Sequence, residues 1–330
     1  MLTWIGDFSG SGAYPTINRQ LTAALERQGV GILRNVHNGG LELTPVSLSC
    51  TYPPTLPNVR HGVNACLTTW EFKGGQGVPR SFIKVFDKLD MVLVMSEWVA
   101  DQIREATNTP VYVTPLGFDP DEFNVNAPMA DWNVLFRDEA WANDPDTKFV
   151  LWAGGTDKRH GLDIAIEVMK RLPENYHLVA KCSTDYPAPS TETQPRVHIL
   201  RANLPSLAPL YRACDVFLNT ARAVGFSMPC LEAMACGAMV VSTHCPPIKE
   251  FAINTAIAER GHWERFSHHI CLPQWFEPDI EQVASLVIWR NQQPKPSDEA
   301  ITAWRETWCW DSAAKRIVEV LGLEAKVANA

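Results

Sequence analysis

The chain predicts an α/β fold of two doubly wound, parallel-sheet domains facing one another across a cleft. Three observations predict it. Its 330 residues favour two domains of ordinary size over one. Short apolar runs such as LTWIG at 2–6, MVLVM at 91–95 and FVLWA at 149–153 alternate with stretches of helical periodicity, the pattern of parallel strands joined by crossover helices. A Gly-rich turn follows the opening strand of each half, at Asp7–Gly12 and Gly154–Gly161, on the edge where such sheets receive ligands.

Each element follows from local pattern. After the strand at 2–6, Thr16–Gln28 places Ile17, Leu21, Ala24 and Leu25 at helical spacing, and Gly29 closes the helix. Strand, glycine turn and helix open a Rossmann-like unit, but the full G-x-G-x-x-G of a dinucleotide fingerprint is absent. Residues 30–60, crowded with Pro and Asn, predict short strands and loops. Strands are expected at Asn64–Thr68, Met91–Met95 and Val111–Thr114. Helices are expected at Val78–Lys88 and Glu97–Ala106, the second capped by Ser96. Asn124–Thr147 reads as a polar, Trp-dotted linker with an inserted helix. The second domain runs through helix Leu162–Arg171, strands His177–Cys182 and Arg196–Leu200, helix Leu204–Cys214 and strands Val216–Thr220 and Val240–Ser242. Helices at Ile280–Trp289 and Glu299–Leu321 finish the chain. The boundary is expected at 145/146, with the second domain ending near 311.

Composition narrows the function. Hydrophobic residues make up 46% and charged residues 20%, enough to bury two cores. A net charge of −8 argues against duplex DNA as the main partner, since such proteins gain affinity from many Lys and Arg phosphate contacts. The basic helix with Arg80, Lys84 and Lys88 reads as a solvated face. No apolar run approaches the ~20 residues of a membrane span, and MLTWIGDFSG lacks the regions of a secretory signal. Nine cysteines, odd in number and without a C-x-x-C pair, read as reduced thiols of a cytoplasmic protein. His268, His269 and Cys271, like His244 and Cys245, lack paired zinc spacing, so no metal site is expected. Asp119-Pro120-Asp121 and Asp144-Pro145-Asp146 spell D-x-D, but each is a Pro-containing turn. Trp4, Trp70, Trp98 and Trp152 lie near strand ends, where an aromatic face suits a sugar, although most Trp residues are expected in the core.

The chemistry concentrates in Ala223–Val241, AVGFSMPCLEAMACGAMVV. A Gly225-Phe226-Ser227-Met228 turn runs into Pro229 and a short helix that stops at Gly237. Free amides at a helix start attract phosphate, and Glu232, one turn in, is placed to hold a ribose diol. The Gly154-Gly155-Thr156-Asp157-Lys158-Arg159-His160-Gly161 loop combines glycines with cations and suits a diphosphate. Lys181 ends the strand HLVAK beside it. Trp70-Glu71 follows a strand of the first domain, where a carboxylate is able to bind sugar hydroxyls, orient an acceptor or act as a base.

The 223–241 segment closely resembles the donor signature of retaining GT-B glycosyltransferases of the glycosyltransferase family 4 type, E-G-F-G-L-P-x-L-E-A-M-A-x-G-x-P-V-V. Pro115, Gly117, Asp119 and Phe123 likewise match that family's P-x-G-x-D-x-x-x-F element. Glu232 falls on the second Glu of the E-x7-E pair, while Val224 stands where the first belongs. His160 occupies the place of the usual Lys. The resemblance implies a GT-B fold whose final helix, 312–330, packs back on the first domain. It also implies transfer of a hexose from UDP- or GDP-hexose, as co-substrate rather than cofactor, to an acceptor hydroxyl without a metal. The candidate catalytic residues are Glu71, Arg159 and Lys181. The candidate donor-binding residues are Gly10, Gly12, Gly155, Lys158, His160, Gly225, Phe226, Ser227, Met228 and Glu232. The acceptor stays open among a glycan, a small molecule, a protein and a modified nucleic-acid base. A sugar-nucleotide epimerase or phosphorylase and a non-catalytic nucleotide-sugar-binding module are the alternatives.

Overall fold

The computed structural model describes residues 1–10, 12–35, 44–56, 62–74, 77–137, 139–182, 184, 194–267 and 272–323. Two compact units divide the chain: one of 1–117, 265–274 and 306–330, the other of 118–264 and 275–305.

In chain order the first unit runs β1 (Leu2–Ile5), α1 (Ala13–Arg27), β2 (Ile32–Asn35), β3 (Val46–Cys50), β4 (Val63–Thr68), α2 (Arg80–Phe86), β5 (Met91–Val94), α3 (Glu97–Arg104) and β6 (Val111–Val113). These six strands form one parallel sheet in the order β2-β1-β3-β4-β5-β6. β1 and β3 are buried along their whole length, with Thr3, Ser47 and Ser49 packed inside beside their apolar neighbours. α1 turns Ile17, Leu21, Ala24 and Leu25 inward. α3 starts at Ser96, whose Oγ accepts the Val99 N–H at 3.2 Å.

The strand order reverses between β1 and β3, and one side chain fastens the loops there. Asn18 of α1 is fully buried. Its Oδ1 accepts Trp4 Nε1 at 2.7 Å, and its Nδ2 donates to Asp7 O at 2.8 Å and Cys50 O at 3.3 Å. The carboxyl ends of β1 and β3 are thereby tied to α1.

The chain continues through α4 (Trp132–Leu135), β7 (Lys148–Ala153), α5 (Leu162–Met169), β8 (Tyr176–Cys182), β9 (Val197–Arg201), α6 (Ala208–Ala213), β10 (Val216–Asn219), α7 (Met228–Ala235), β11 (Val240–Thr243), α8 (Pro246–Lys249), β12 (Thr255–Ala258), β13 (Gly261–Arg265), β14 (Gln274–Pro278), α9 (Ile280–Asn291) and α10 (Asp298–Thr307). β7–β12 form the parallel sheet of the second unit in the order β12-β11-β10-β7-β8-β9. Counted from β7 this is 6-5-4-1-2-3, the doubly wound order that leaves a crevice where the winding reverses, between β7 and β10. α11 (Trp310–Val320) belongs to the first unit. It packs on α1, with Arg27 Nη2 2.6 Å from Asp311 Oδ1 and Gln28 Nε2 donating to Asp311 O at 2.7 Å.

The structure differs from the sequence reading in three places. The division falls after Gly117, not near 145, because the linker packs on the second unit. Trp132 stacks on Phe149 at 4.9 Å, its Nε1 donates to Ala213 O at 3.3 Å, and Phe123 lies 6.3 Å from Tyr211. The single helix expected over 299–321 is two, α10 and α11, interrupted at Trp308 and Cys309. The β13–β14 ribbon and β12 were not expected at all. Trp4, Trp70 and Trp152 are buried to 1% exposure or less and serve the core, as expected of most of the tryptophans.

Replacing Asn18 by Ala leaves the Trp4 indole N–H and two carbonyls without their partner in a dry site. The expected cost is about 3 kcal/mol, read as a lower midpoint for the first unit in urea denaturation. A loss below about 1 kcal/mol would show that the three bonds do not hold the reversal together.

Candidate functional site

The loops that follow β7 and β10 meet at the reversal of the second sheet. The first contains a short 3-10 turn, Lys158–His160, capped by Asp157, whose Oδ1 accepts Arg159 N at 3.1 Å. Gly161 ends the turn at φ +74°, and a Cβ there would lie 1.9 Å from Thr220 O. Glycine is thus required by both conformation and space. Thr220 locks the same point: its Oγ1 accepts Trp152 Nε1 at 3.0 Å and donates to Gly161 O at 2.6 Å. Arg222 completes the join, with its N–H on Arg159 O at 2.8 Å and its Nη1 on Lys158 O at 2.7 Å.

The cations of this turn point in different directions. Arg159 Nη2 lies 2.9 Å from His160 Nε2. The other ring nitrogen, Nδ1, lies 2.8 Å from Asp157 Oδ2. Burial alone would raise the Asp157 pKa. The His160 contact and the His160 and Arg159 charges outweigh it and hold the carboxyl at about 2. Arg159 Nη1 also reaches toward Ala223 O, at the long distance of 3.5 Å, so Arg159 stands beside the loop leading to Gly225. Lys158 instead lies over the Trp275 ring at 5.4 Å. With Asp163, Arg222, Glu264 and Glu277 it lines a cavity of about 620 Å³. Gly155 packs under the His160 ring, where a Cβ would approach Nδ1 to 2.7 Å.

α7 begins directly after this junction. Val224 and Phe226 are buried, Ser227 precedes the helix, and Pro229 occupies its first turn. Ser227 adopts φ +79°, the left-handed region that a residue with a Cβ enters at a cost. The resembling family has glycine there. Glu232 lies in the next turn and accepts the Tyr211 hydroxyl at 3.2 Å. Burial drives the Glu232 pKa up to about 8; the Glu122 charge adds to the rise, while the Tyr211 bond and the Lys181 charge oppose it. Lys181, at the end of β8 and paired with Ala153 of β7, is thus within electrostatic reach of Glu232.

The structure therefore gathers Arg159, His160, Gly155, Lys181, Gly225, Phe226, Ser227, Met228 and Glu232 around one crevice end of the second unit, and turns Lys158 toward Trp275. Tyr211, Glu122, Thr220 and Arg222 escaped the sequence reading. Glu122 had a signal, since it sits inside the Asp119-x-x-x-Phe123 element. Tyr211 had none, because a Tyr on the buried face of α6 reads as core.

Gly10, Gly12 and Glu71 belong to the first unit. Gly12 is the N-cap of α1, and Arg19 Nη1 donates to Phe8 O at 2.8 Å and Gly10 O at 3.0 Å, which clamps the glycine turn. Glu71 follows the buried Trp70 and is felt by Tyr14, whose hydroxyl pKa is raised mainly by burial. Both D-x-D segments are Asx turns: Asp119 Oδ1 accepts Asp121 N and Asp144 Oδ1 accepts Asp146 N, each at 2.9 Å. His268, His269 and Cys271 lie outside the described residues. Among the described residues no three His, Cys, Asp or Glu are grouped to hold a metal ion, and no helix is long and apolar enough to cross a membrane.

Two outcomes follow from this geometry. Ser227→Gly removes the left-handed penalty and is expected to stabilise the second unit by about 1 kcal/mol, a Tm rise of roughly 2–4 °C. An unchanged or lower Tm would mean that the Ser227 side chain contributes more than its conformation costs. The second concerns pH. Folded Glu232 keeps its proton up to about pH 8, against 4.5 for the ordinary carboxyl. The native state then binds more protons inside that window, so stability falls as pH rises across it. Glu232→Gln flattens this slope, as measured by urea denaturation from about pH 5 to 8. Equal slopes in the two proteins would contradict the raised pKa.

Residues 147–271 match the family model for glycosyl transferases group 1. No curated protein sequence matches the chain. Among solved structures, a sucrose-phosphate synthase from Thermosynechococcus elongatus superposes with a TM-score of 0.68 at 15% identity, covering 97% of each chain. HepE from Anabaena, in complex with UDP and glucose, gives 0.67 at 13% identity over 97% of this chain and 99% of that one. WaaG, a glycosyltransferase involved in lipopolysaccharide biosynthesis, gives 0.61 at 11% identity over 98% and 96%. At such identities the likeness establishes the GT-B fold of two Rossmann-like units. The group 1 match, over 147–271, marks the donor segment of the second unit as part of a glycosyltransferase domain.

Proposed function

We propose that the chain transfers a hexose from UDP- or GDP-hexose to an acceptor hydroxyl with retention of anomeric configuration, as a metal-independent enzyme of the glycosyltransferase family 4 type. The observation that carries this reading is the start of α7, with Glu232 in its first turns, beside the Arg159 guanidinium that reaches toward Ala223, where the second sheet reverses. Glu232 is assigned to the ribose, whose vicinal hydroxyls are able to donate to both carboxylate oxygens. Arg159 and Lys181 are assigned to the diphosphate, together with the main chain of Gly225–Met228 at the helix start. A uridine donor is favoured because the similar Anabaena protein was solved with UDP-glucose. Free thiols at all eight described cysteines fit a reducing, cytoplasmic setting.

In the proposed front-face reaction the acceptor oxygen approaches the anomeric carbon from the side on which the diphosphate departs. The sugar–phosphate C–O bond breaks, the new C–O bond forms on the same face, and a leaving phosphate oxygen takes the acceptor proton. The protein's part is geometry and charge: Arg159 and Lys181 stabilise the departing diphosphate. Glu71 is the acceptor-side candidate of the first unit, and Gly10 and Gly12 are its donor-binding candidates. Buried Val224, in place of a carboxylate at the sugar end of the donor, favours one second reading, a module that binds the nucleotide sugar without turnover.

Thermal shift with UDP, GDP, ADP, dTDP and their sugar conjugates tests the assignment. One base is expected to stabilise the protein, and Glu232→Ala to weaken that nucleotide by roughly 10- to 100-fold, since a buried charged hydrogen-bond acceptor is lost. No stabilisation by any nucleotide would overturn the donor site. Binding without transfer to any acceptor, judged by product analysis, would favour the module.

A further inference from the structure

We propose that Arg222 is a positioning residue for the donor diphosphate, acting through Arg159. The proposal rests on the assignment of Arg159 to that diphosphate. Arg222 is 5% exposed, and all three of its side-chain nitrogens are engaged within the protein. Nη1 donates to Asp163 Oδ1 at 2.8 Å and to Lys158 O at 2.7 Å. Nη2 donates to Asp163 Oδ2 at 2.7 Å, and Nε to Glu277 Oε1 at 2.5 Å. The guanidinium also lies over the Trp275 ring at 5.3 Å.

Two of its contacts bracket one residue. The peptide carbonyl before Arg159 is that of Lys158, and it accepts from the Arg222 side chain. The carbonyl after it is Arg159's own, and it accepts from the Arg222 main-chain N–H at 2.8 Å. Both peptide groups that set the Arg159 backbone are therefore held by a single residue. That residue lies on the loop leading to Gly225 and α7, so the cation and the helix start are fixed to one another rather than to the solvent-facing turn. The bidentate Asp163 contact and the Glu277 contact orient the guanidinium plane, which a lysine's point charge is unable to reproduce. Two carboxylates against one buried cation also offset its desolvation.

The discriminating readout compares ligands that differ only in the diphosphate. Calorimetric titration with UDP and with uridine is made on the full chain and on Arg222→Lys, Arg159→Met and the double variant. Arg222→Lys is expected to weaken UDP about tenfold, the scale of one charged hydrogen bond, with uridine changed less than about twofold. The double variant is expected to be no weaker than Arg159→Met, because both substitutions remove the same contact. Equal loss of UDP and uridine, or losses that add in the double variant, would make Arg222 a general structural residue and overturn the proposal. Undiminished UDP affinity in Arg159→Met would instead overturn the diphosphate assignment itself. If Arg222→Lys does not fold, Asp163→Asn frees one arm of the guanidinium from a half-exposed partner. It is expected to weaken UDP in the same selective way but by less, and unchanged UDP affinity there counts against the proposal.

Discussion

The second unit depends on one constraint, the parallel pairing of β7 with β10. In this strand order the chain leaves β7 in one direction along the sheet and returns to begin β10 in the other. The helices that follow therefore cover opposite faces: α5 packs with α9, and α6 with α7. The loops between strand and helix are left side by side with no helix over them. The groups of the second unit proposed to meet the donor hang on that pair of loops, on the first turns of α7 or on the neighbouring end of β8. The Thr220 hydroxyl and Arg222 bind the two loops to one another, so the crevice is a consequence of winding made rigid by a few buried polar bonds.

Electrostatics within this crevice set a carboxylic acid against cations. Free Glu232 is a poor anion, because burial and Glu122 oppose its charge and only the Tyr211 hydroxyl and Lys181 favour it. In the proposed reading a nucleotide changes each of these terms at once. Ribose hydroxyls donating to Glu232 favour its ionised form, while a diphosphate drawn to Lys181 screens the cation that had been favouring it. Donor binding and loss of a proton are then linked, with a sign set by which contact is stronger. Asp157 has no such freedom. It is pinned as an anion by His160 and Arg159, and its work is to hold that turn.

Much of this architecture was legible in the chain. MVLV, FVLW and VFLN declare buried parallel strands because no face of them tolerates charge, and glycine turns after β1 and β7 mark the ligand edge. Glu232 was legible because its motif fixes its distance from a helix start. Other features depended on tertiary contacts that leave no local pattern. Nothing in the spacing of Lys158 and Arg159 says that one will stack on Trp275 and the other turn to Ala223, since Trp275 arrives from a ribbon more than a hundred residues later. The boundary at Gly117 was hidden for the same reason: the polar segment after it looks like a linker until Trp132 finds Phe149.

Ser227 and Val224 are two of the places where the donor segment departs from the family pattern, and they act on different physical terms. Ser227 keeps the loop's shape against a conformational penalty, which shows that the surrounding bonds over-determine the turn: a loose loop would relax out of φ +79°. Val224 changes chemistry without disturbing shape, placing a buried apolar side chain where a carboxylate would need water or a sugar to satisfy it. A decaying, ligand-free loop has no force to maintain the first feature. The strained turn at the head of α7, still tied to the cation turn through Arg222, therefore weighs toward a site that continues to bind phosphate. In the proposed reading, Val224 then bears on which sugar is accepted rather than on whether the nucleotide is held.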